Sequence, residues 1–316
     1  MRAINLIFEV NYGAFAIFAA LLITEIMGSV LLLIAWDETR KRVLDYVVPI
    51  WEITGTFGAL WVVTGYFAYP ALLVPVAAIF GPLLVIFLIL FVARNASIVF
   101  GEFIVGSRRL DEVRLYKAYA VSTVLLGLVV LVLLSALVGG QGVNLTAGSF
   151  SLVHWATPGS LFFIAGTLAL AVGLAPAFFN LEPLRRLVLP FTAVGVILSV
   201  LSYFAMSSAL LTGWMAIPVA LTLLVGVLYL WPRTSRIVSN KAVFIAALAV
   251  VIFSLQPLIY PKVIGQALSI DAVTTSGVLS STFLSITVGG WLLLALMLFL
   301  YMTVASRGTS GPETAN

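Results

Sequence analysis

The sequence predicts an all-α integral membrane protein of about nine transmembrane helices, and three observations carry that prediction. Hydrophobic residues make up 62% of the 316 positions and charged residues only 9%, against roughly 25% charged in soluble domains. The apolar runs are continuous and about 20 residues long, the length a helix needs to cross hydrocarbon. A membrane barrel would instead show short alternating segments. Helices also satisfy their own backbone hydrogen bonds, which the bilayer core demands. Finally, the connections between runs alternate between charged and nearly bare.

The spans read as 11–35, 48–69, 72–93, 117–138, 160–179, 188–208, 213–231, 242–260 and 278–304. The connections at 36–47, 94–116, 180–187 and 232–241 carry the charge, and those at 70–71, 139–159, 209–212 and 261–277 carry almost none. Of the 16 Lys and Arg, all but Arg2 and Lys262 fall in the charged group, at its edges or in the C-terminal tail. Basic loops stay cytoplasmic, so the N-terminus is expected outside and the C-terminus inside. The net charge of +4 is thus a topology signal and not a nucleic-acid footprint. Arg2 is followed by Glu9 and an apolar run too long for a signal core.

The chain reads as one transmembrane domain over 1–304, with a short cytoplasmic tail at 305–316. Arg40-Lys41-Arg42 before Val48-Pro49 is echoed by Arg185-Arg186 before Leu189-Pro190. The echo suggests pseudo-repeats at about 11–138 and 160–260. That gives two four-helix bundles plus one peripheral helix, 278–304.

With no cysteine, disulfides, iron–sulfur clusters and thiolate metal sites are excluded. One histidine, His154, lies in an outer loop and reads as polar surface, so bis-histidine haem ligation within the helices is excluded too. There is no phosphate-binding glycine loop. No metal site and no catalytic residue is assigned to this chain.

Ionisable residues inside spans are costly and are functional candidates by default. Glu25 lies near the middle of the first span and Glu52 about one turn inside the second. Each suits a proton pathway, or else holds helices together as a hydrogen-bonded acid. Arg94, at the inner end of the third run, reads by position as an interfacial anchor that snorkels to the headgroups. Glu102 reads as a loop residue that an inner polar site could recruit. Asp271, in the last outer loop, is placed to cap the helix after it. Trp36, Trp214, Trp231 and Tyr260 fall where an aromatic belt is expected, whereas Trp61 and Trp291 lie deeper and read as packing residues.

Pro49-Ile50-Trp51-Glu52, then Gly58-Ala59-Leu60, Tyr69-Pro70 and Arg94, resembles subunit II of the cytochrome bd-type quinol oxidases. In that family a Pro-x-Trp-Asp opens the second span, and an arginine closes the third. Thr24-Glu25 resembles the family's Thr-Asp. Tyr260-Pro261 and Leu268-Ser269-Ile270-Asp271-Ala272 resemble its last outer loop. The likeness is best over 20–100 and 257–304. The departures are a shorter chain, Glu52 for the family's Asp, and a neutral residue near Gly28 where the family has a second acid, so the chain reads as a divergent member.

The resemblance implies a haem-poor subunit of a quinol:oxygen oxidoreductase in a prokaryotic plasma membrane. Its partner would be a haem-bearing subunit I, and quinol the substrate of the complex. No cofactor is expected on this chain alone, with room left for a bound quinone. Glu52 and Glu25 would conduct cytoplasmic protons, while Trp51, Arg94 and Asp271 would be structural or interface residues, with Arg94 orienting the acidic site or the subunit interface. The rival class is a secondary transporter with a midplane carboxylate site and broken helices, for which Glu25 and Pro176 are candidates.

Overall fold

The computed structural model describes residues 5–103, 111–206, 240–256, 259–260, 262–264, 267–276 and 278–308, with 220, 224 and 228 singly. Helix α1, Leu6–Ile34, starts where the Asn5 side chain accepts the Phe8 N–H, a standard way to satisfy an orphan donor. One residue, Ala35, separates it from α2, Trp36–Ala68. Helix α3 is Pro70–Phe103. Helix α4, Glu112–Gly139, is capped by Asp111 and stopped by Gly140 at φ 73°, the left-handed conformation glycine reaches without a Cβ clash.

A hairpin of β1, Val143–Asn144, and β2, Ser149–Phe150, follows with the one-turn helix α5, Leu152–Trp155. Helix α6, Pro158–Phe178, opens with a Thr157 cap and proline in its first turn, where the missing N–H costs nothing. A 3₁₀ turn, Glu182–Leu187, leads into α7, Val188–Met206. Helix α8, Lys241–Phe253, is capped by Asn240. A second hairpin of β3, Lys262–Val263, and β4, Leu268–Ser269, leads through α9, Ile270–Val273, to α10, Val278–Gly308.

Helix α1 is the axis of the molecule. Two thirds of its most apolar window (67%) is buried, against 17% for α3 and 11% for α10. It packs against α2, α4, α6, α8 and α10. Tight places on either side of Glu25 allow this. A Cβ on Gly28 of α1 would meet Val43 of α2 at 2.9 Å, and one on Gly127 of α4 would meet Ile26 of α1 at 2.5 Å.

Among the described residues, the charged connections gather at one end of the bundle. Arg42 donates to the Asn180 carbonyl, Trp36 lies against Tyr116 with ring centroids 6.5 Å apart, and Lys117 sits 5.9 Å from the Trp36 ring. Among the described residues, the bare connections at 70–71, 139–159 and 261–277 gather at the other. There the Ile264 N–H bonds to the Leu137 carbonyl and the Thr275 N–H to the Ala68 carbonyl.

Several sequence-based boundaries are corrected. The connection at 36–47 is the start of α2, and 95–103 is the end of α3. Both are helical but too polar for an apolar run to register. Seven described helices are long and apolar enough to cross a membrane. The expected seventh span, 213–231, lies outside the described residues except for 220, 224 and 228, and Trp214 and Trp231 lie outside them too. The expected eighth, 242–260, is the 13-residue helix α8, about 20 Å long, with turn residues at 254–256. Helix α10 continues into the expected tail as far as Gly308.

Candidate functional site

Glu25 is fully buried and Arg94 is 2% exposed. An Arg94 Nη2 N–H donates to Glu25 Oε2, and the Tyr119 hydroxyl donates to the same oxygen at 3.0 Å. The guanidinium carbon lies 5.6 Å from the Tyr119 ring centroid, so cation and ring also attract. Arg94 Nη1 donates to Asn95 Oδ1 at 2.9 Å. Three helices thus meet on one carboxylate: α1 supplies the acid, α3 the guanidinium and α4 the phenol.

The position-based expectation for Arg94 therefore needs correction. It does not snorkel, because α3 runs nine residues beyond it to Phe103 and places it inside the bundle. A buried cation needs a buried partner, and Glu25 is that partner.

Next to the ion pair, Thr24 Oγ1 and the Tyr46 hydroxyl share a hydrogen bond at 2.7 Å, and Thr24 also donates to the Leu21 carbonyl at 2.7 Å. On α4, one turn before Tyr119, the Tyr116 hydroxyl donates to Glu102. Both residues line a concavity of about 580 Å³ at the charged end, with Trp36, Arg40, Lys41 and Pro49. Glu102 is thus helical, on α3, and recruited by a tyrosine, not placed in a loop.

Glu52 is exposed on the surface of α2. Among the described residues it shares no hydrogen bond or ion pair with Glu25, so the structure does not bring the two candidate proton carriers together. Trp51 is half-buried against the core. Among the described residues Asp271 caps no helix. It lies in the first turn of α9 and accepts from the Asn5 amide at 2.8 Å and from the Tyr260 hydroxyl at 3.0 Å. It therefore ties the start of α1 to the last bare connection.

Tyr260, expected in an aromatic belt, also lies 4.9 Å from the Phe8 ring. Trp61 stacks on Phe18 and Trp291 meets Phe57. His154 is exposed, with Nδ1 2.8 Å from the Ser151 hydroxyl.

Sequence reasoning missed Tyr119 and Tyr116. Their available signal was a pair of tyrosines three residues apart at the charged start of a span, which puts both on one helix face.

These features define a multi-pass helical membrane protein built around a buried acid–base pair. No protein-family model matches the sequence, and no curated protein matches it. Among solved structures, a chain of the bd oxidase from Geobacillus thermodenitrificans is similar. The TM-score is 0.71 at 16% identity, and the likeness covers 95% of this chain and 97% of that one. The two chains share a fold.

Proposed function

We propose that this chain is the haem-poor membrane subunit of a bd-like quinol:oxygen oxidoreductase. In this reading it supports a haem-bearing partner and helps carry cytoplasmic protons to the site of oxygen reduction. The observation that carries the reading is the buried Glu25–Arg94–Tyr119 cluster, set in a fold shared with a bd oxidase chain along nearly its whole length. A carboxylate fixed beside a cation in a low-dielectric core holds charge that a redox partner can feel. It also has two neighbours that donate hydrogen bonds to it.

The surface supports a partner. Glu52 is exposed on α2, about one turn inside the expected span. A carboxylate facing lipid there is costly, so a second subunit is expected to cover that face. Gly55 on α2, Gly81 on α3 and Gly289 on α10 all look onto open space. Small residues of this kind let another helix come close. In this reading Glu52 takes protons at the subunit boundary, Glu25 holds the deeper position, and Arg94 orients the Glu25 carboxyl. The orientation is N-terminus outside, with the charged end cytoplasmic.

Purification from native membranes tests the reading. The chain should come away with a haem-bearing partner, a visible haem spectrum and quinol-dependent oxygen consumption. A colourless chain that moves a solute alone in liposomes would overturn the oxidase reading and favour a transporter.

A further inference from the structure

Three buried polar atoms around the ion pair have no hydrogen-bond partner among the described residues: Glu25 Oε1, Arg94 Nε and Ser29 Oγ. Ser29 is fully buried, as Glu25 is. Two of the three atoms belong to the ion pair itself, and the third stands one helical turn along α1. Oε1 belongs to the carboxylate whose other oxygen accepts from Arg94, and Nε belongs to the same planar guanidinium as the donating Nη2. Ser29 stands four residues after Glu25 on α1, hence on the same face, with Cβ atoms about 5–6 Å apart.

The chemistry of the three atoms is complementary. Nε can only donate, Oε1 can only accept, and a serine hydroxyl can do either. Buried polar atoms without partners are rare, and in a membrane no bulk water is at hand to relieve them. A single water satisfies all three if it accepts from Arg94 Nε–H and Ser29 O–H and donates to Glu25 Oε1. Three bonds is the usual number for an internal water.

We propose that Glu25, Ser29 and Arg94 bind an internal water, and that Ser29 is the residue through which Glu25 exchanges protons with the charged end. Ser29 lies one turn nearer that end than Glu25, on the part of α1 that leads to Ala35. In the inward step the Ser29 hydroxyl passes its proton to the water as the water gives one of its own to Glu25 Oε1. In the same concerted shift the Ser29 oxygen accepts a proton from a hydronium ion or protonated water entering from the charged end, so no alkoxide is left. No bond between heavy atoms changes. The water site rests on packing and hydrogen bonding alone, while its part in proton delivery rests on the oxidase reading above.

The test is a map of the purified protein in lipid nanodiscs, with any partner that accompanies it, at a resolution that shows waters. The wild type should show density within about 3.2 Å of all three atoms. In Ser29→Ala that density should be lost, turnover should slow about tenfold and its solvent deuterium isotope effect should rise. Ser29→Thr should restore all three. An empty wild-type position, or three atoms bonded directly to protein groups, overturns the water site. A water lost in Ser29→Ala with turnover and isotope effect unchanged overturns the relay. If the water behaves as expected but no haem partner and no oxygen consumption accompany the protein, the site stands and the oxidase reading falls.

Discussion

Two parts of the bundle solve the same problem in opposite ways. Helices α6 and α7 form an intimate pair with no charged residue in either. A Cβ added at Gly173 would stand 2.6 Å from the Thr192 backbone nitrogen, and one at Gly195 would stand 2.7 Å from that of Leu170. Backbones meet there directly, as small residues allow between membrane helices. Around α1, by contrast, α3 and α4 are held through one carboxylate, one guanidinium and one phenol. Apolar association needs no charge, so charge kept in the second region is the better guide to chemistry.

The largest effect should come from breaking the ion pair on one side only. Arg94→Leu leaves Glu25 buried without its counter-charge, and losing one partner of a buried pair costs about 3–5 kcal/mol. Thermal unfolding in detergent, followed by loss of the monodisperse chromatographic peak, should shift sharply downward. Replacing both partners, Glu25→Leu with Arg94→Met, should recover most of that stability while leaving proton-coupled turnover low. Full turnover in the double variant would show that the pair only holds helices together.

Next in size is an attack on the uncharged pair. Gly173→Leu forces side-chain atoms into the α7 backbone and should cost about 1–3 kcal/mol, as overpacking usually does. It should lower thermal stability in the same assay without changing the solvent isotope effect of turnover. A kinetic change at equal stability would mean that α6 and α7 take part in the chemistry.

A smaller loss is expected from Tyr119→Phe. It removes one hydrogen bond to a carboxylate that keeps its Arg94 contact, and bonds to charged groups are worth about 1.5–3 kcal/mol. The residual pairing puts the loss at the low end of that range. An unchanged melting temperature would indicate that the Tyr119 hydroxyl contributes little beside the cation.

How much of this was legible in the sequence differs between the two regions for the same reason. Length and hydropathy mark α1, α4, α6 and α7 closely, because bilayer thickness sets one scale for all of them. Hydropathy also isolates Glu25 as a charge where none is cheap. It misplaces Arg94, because the apolar run ends at residue 93 while backbone hydrogen bonding carries α3 on to Phe103. It also misses the helical start of α2, where Trp36–Val47 is too polar to look like a span. Pairing across helices is a property of packing: position along the chain does not connect residues 25, 94 and 119, and only the family resemblance offered Arg94 as a residue orienting the acidic site. The exposure of Glu52 was equally hidden, since one turn of depth in a span does not say which way a side chain faces.

The smallest stability change should come from Glu52, and that makes it the cleanest probe of the second subunit. Its carboxylate is exposed on this chain and shares no ion pair among the described residues. Glu52→Gln keeps shape and hydrogen-bonding capacity and removes only charge, so a surface change of this kind should move stability by no more than about 0.5 kcal/mol. If α2 faces a redox partner, the same substitution should slow oxygen reduction while the complex still assembles with its full haem spectrum. A variant with wild-type turnover in an intact complex would remove Glu52 from any proton pathway, and Glu25 would then need another route to the charged end. The concavity lined by Glu102 and Tyr116 is the structural place to look for it, and Glu102→Gln in the same assay would decide between the two.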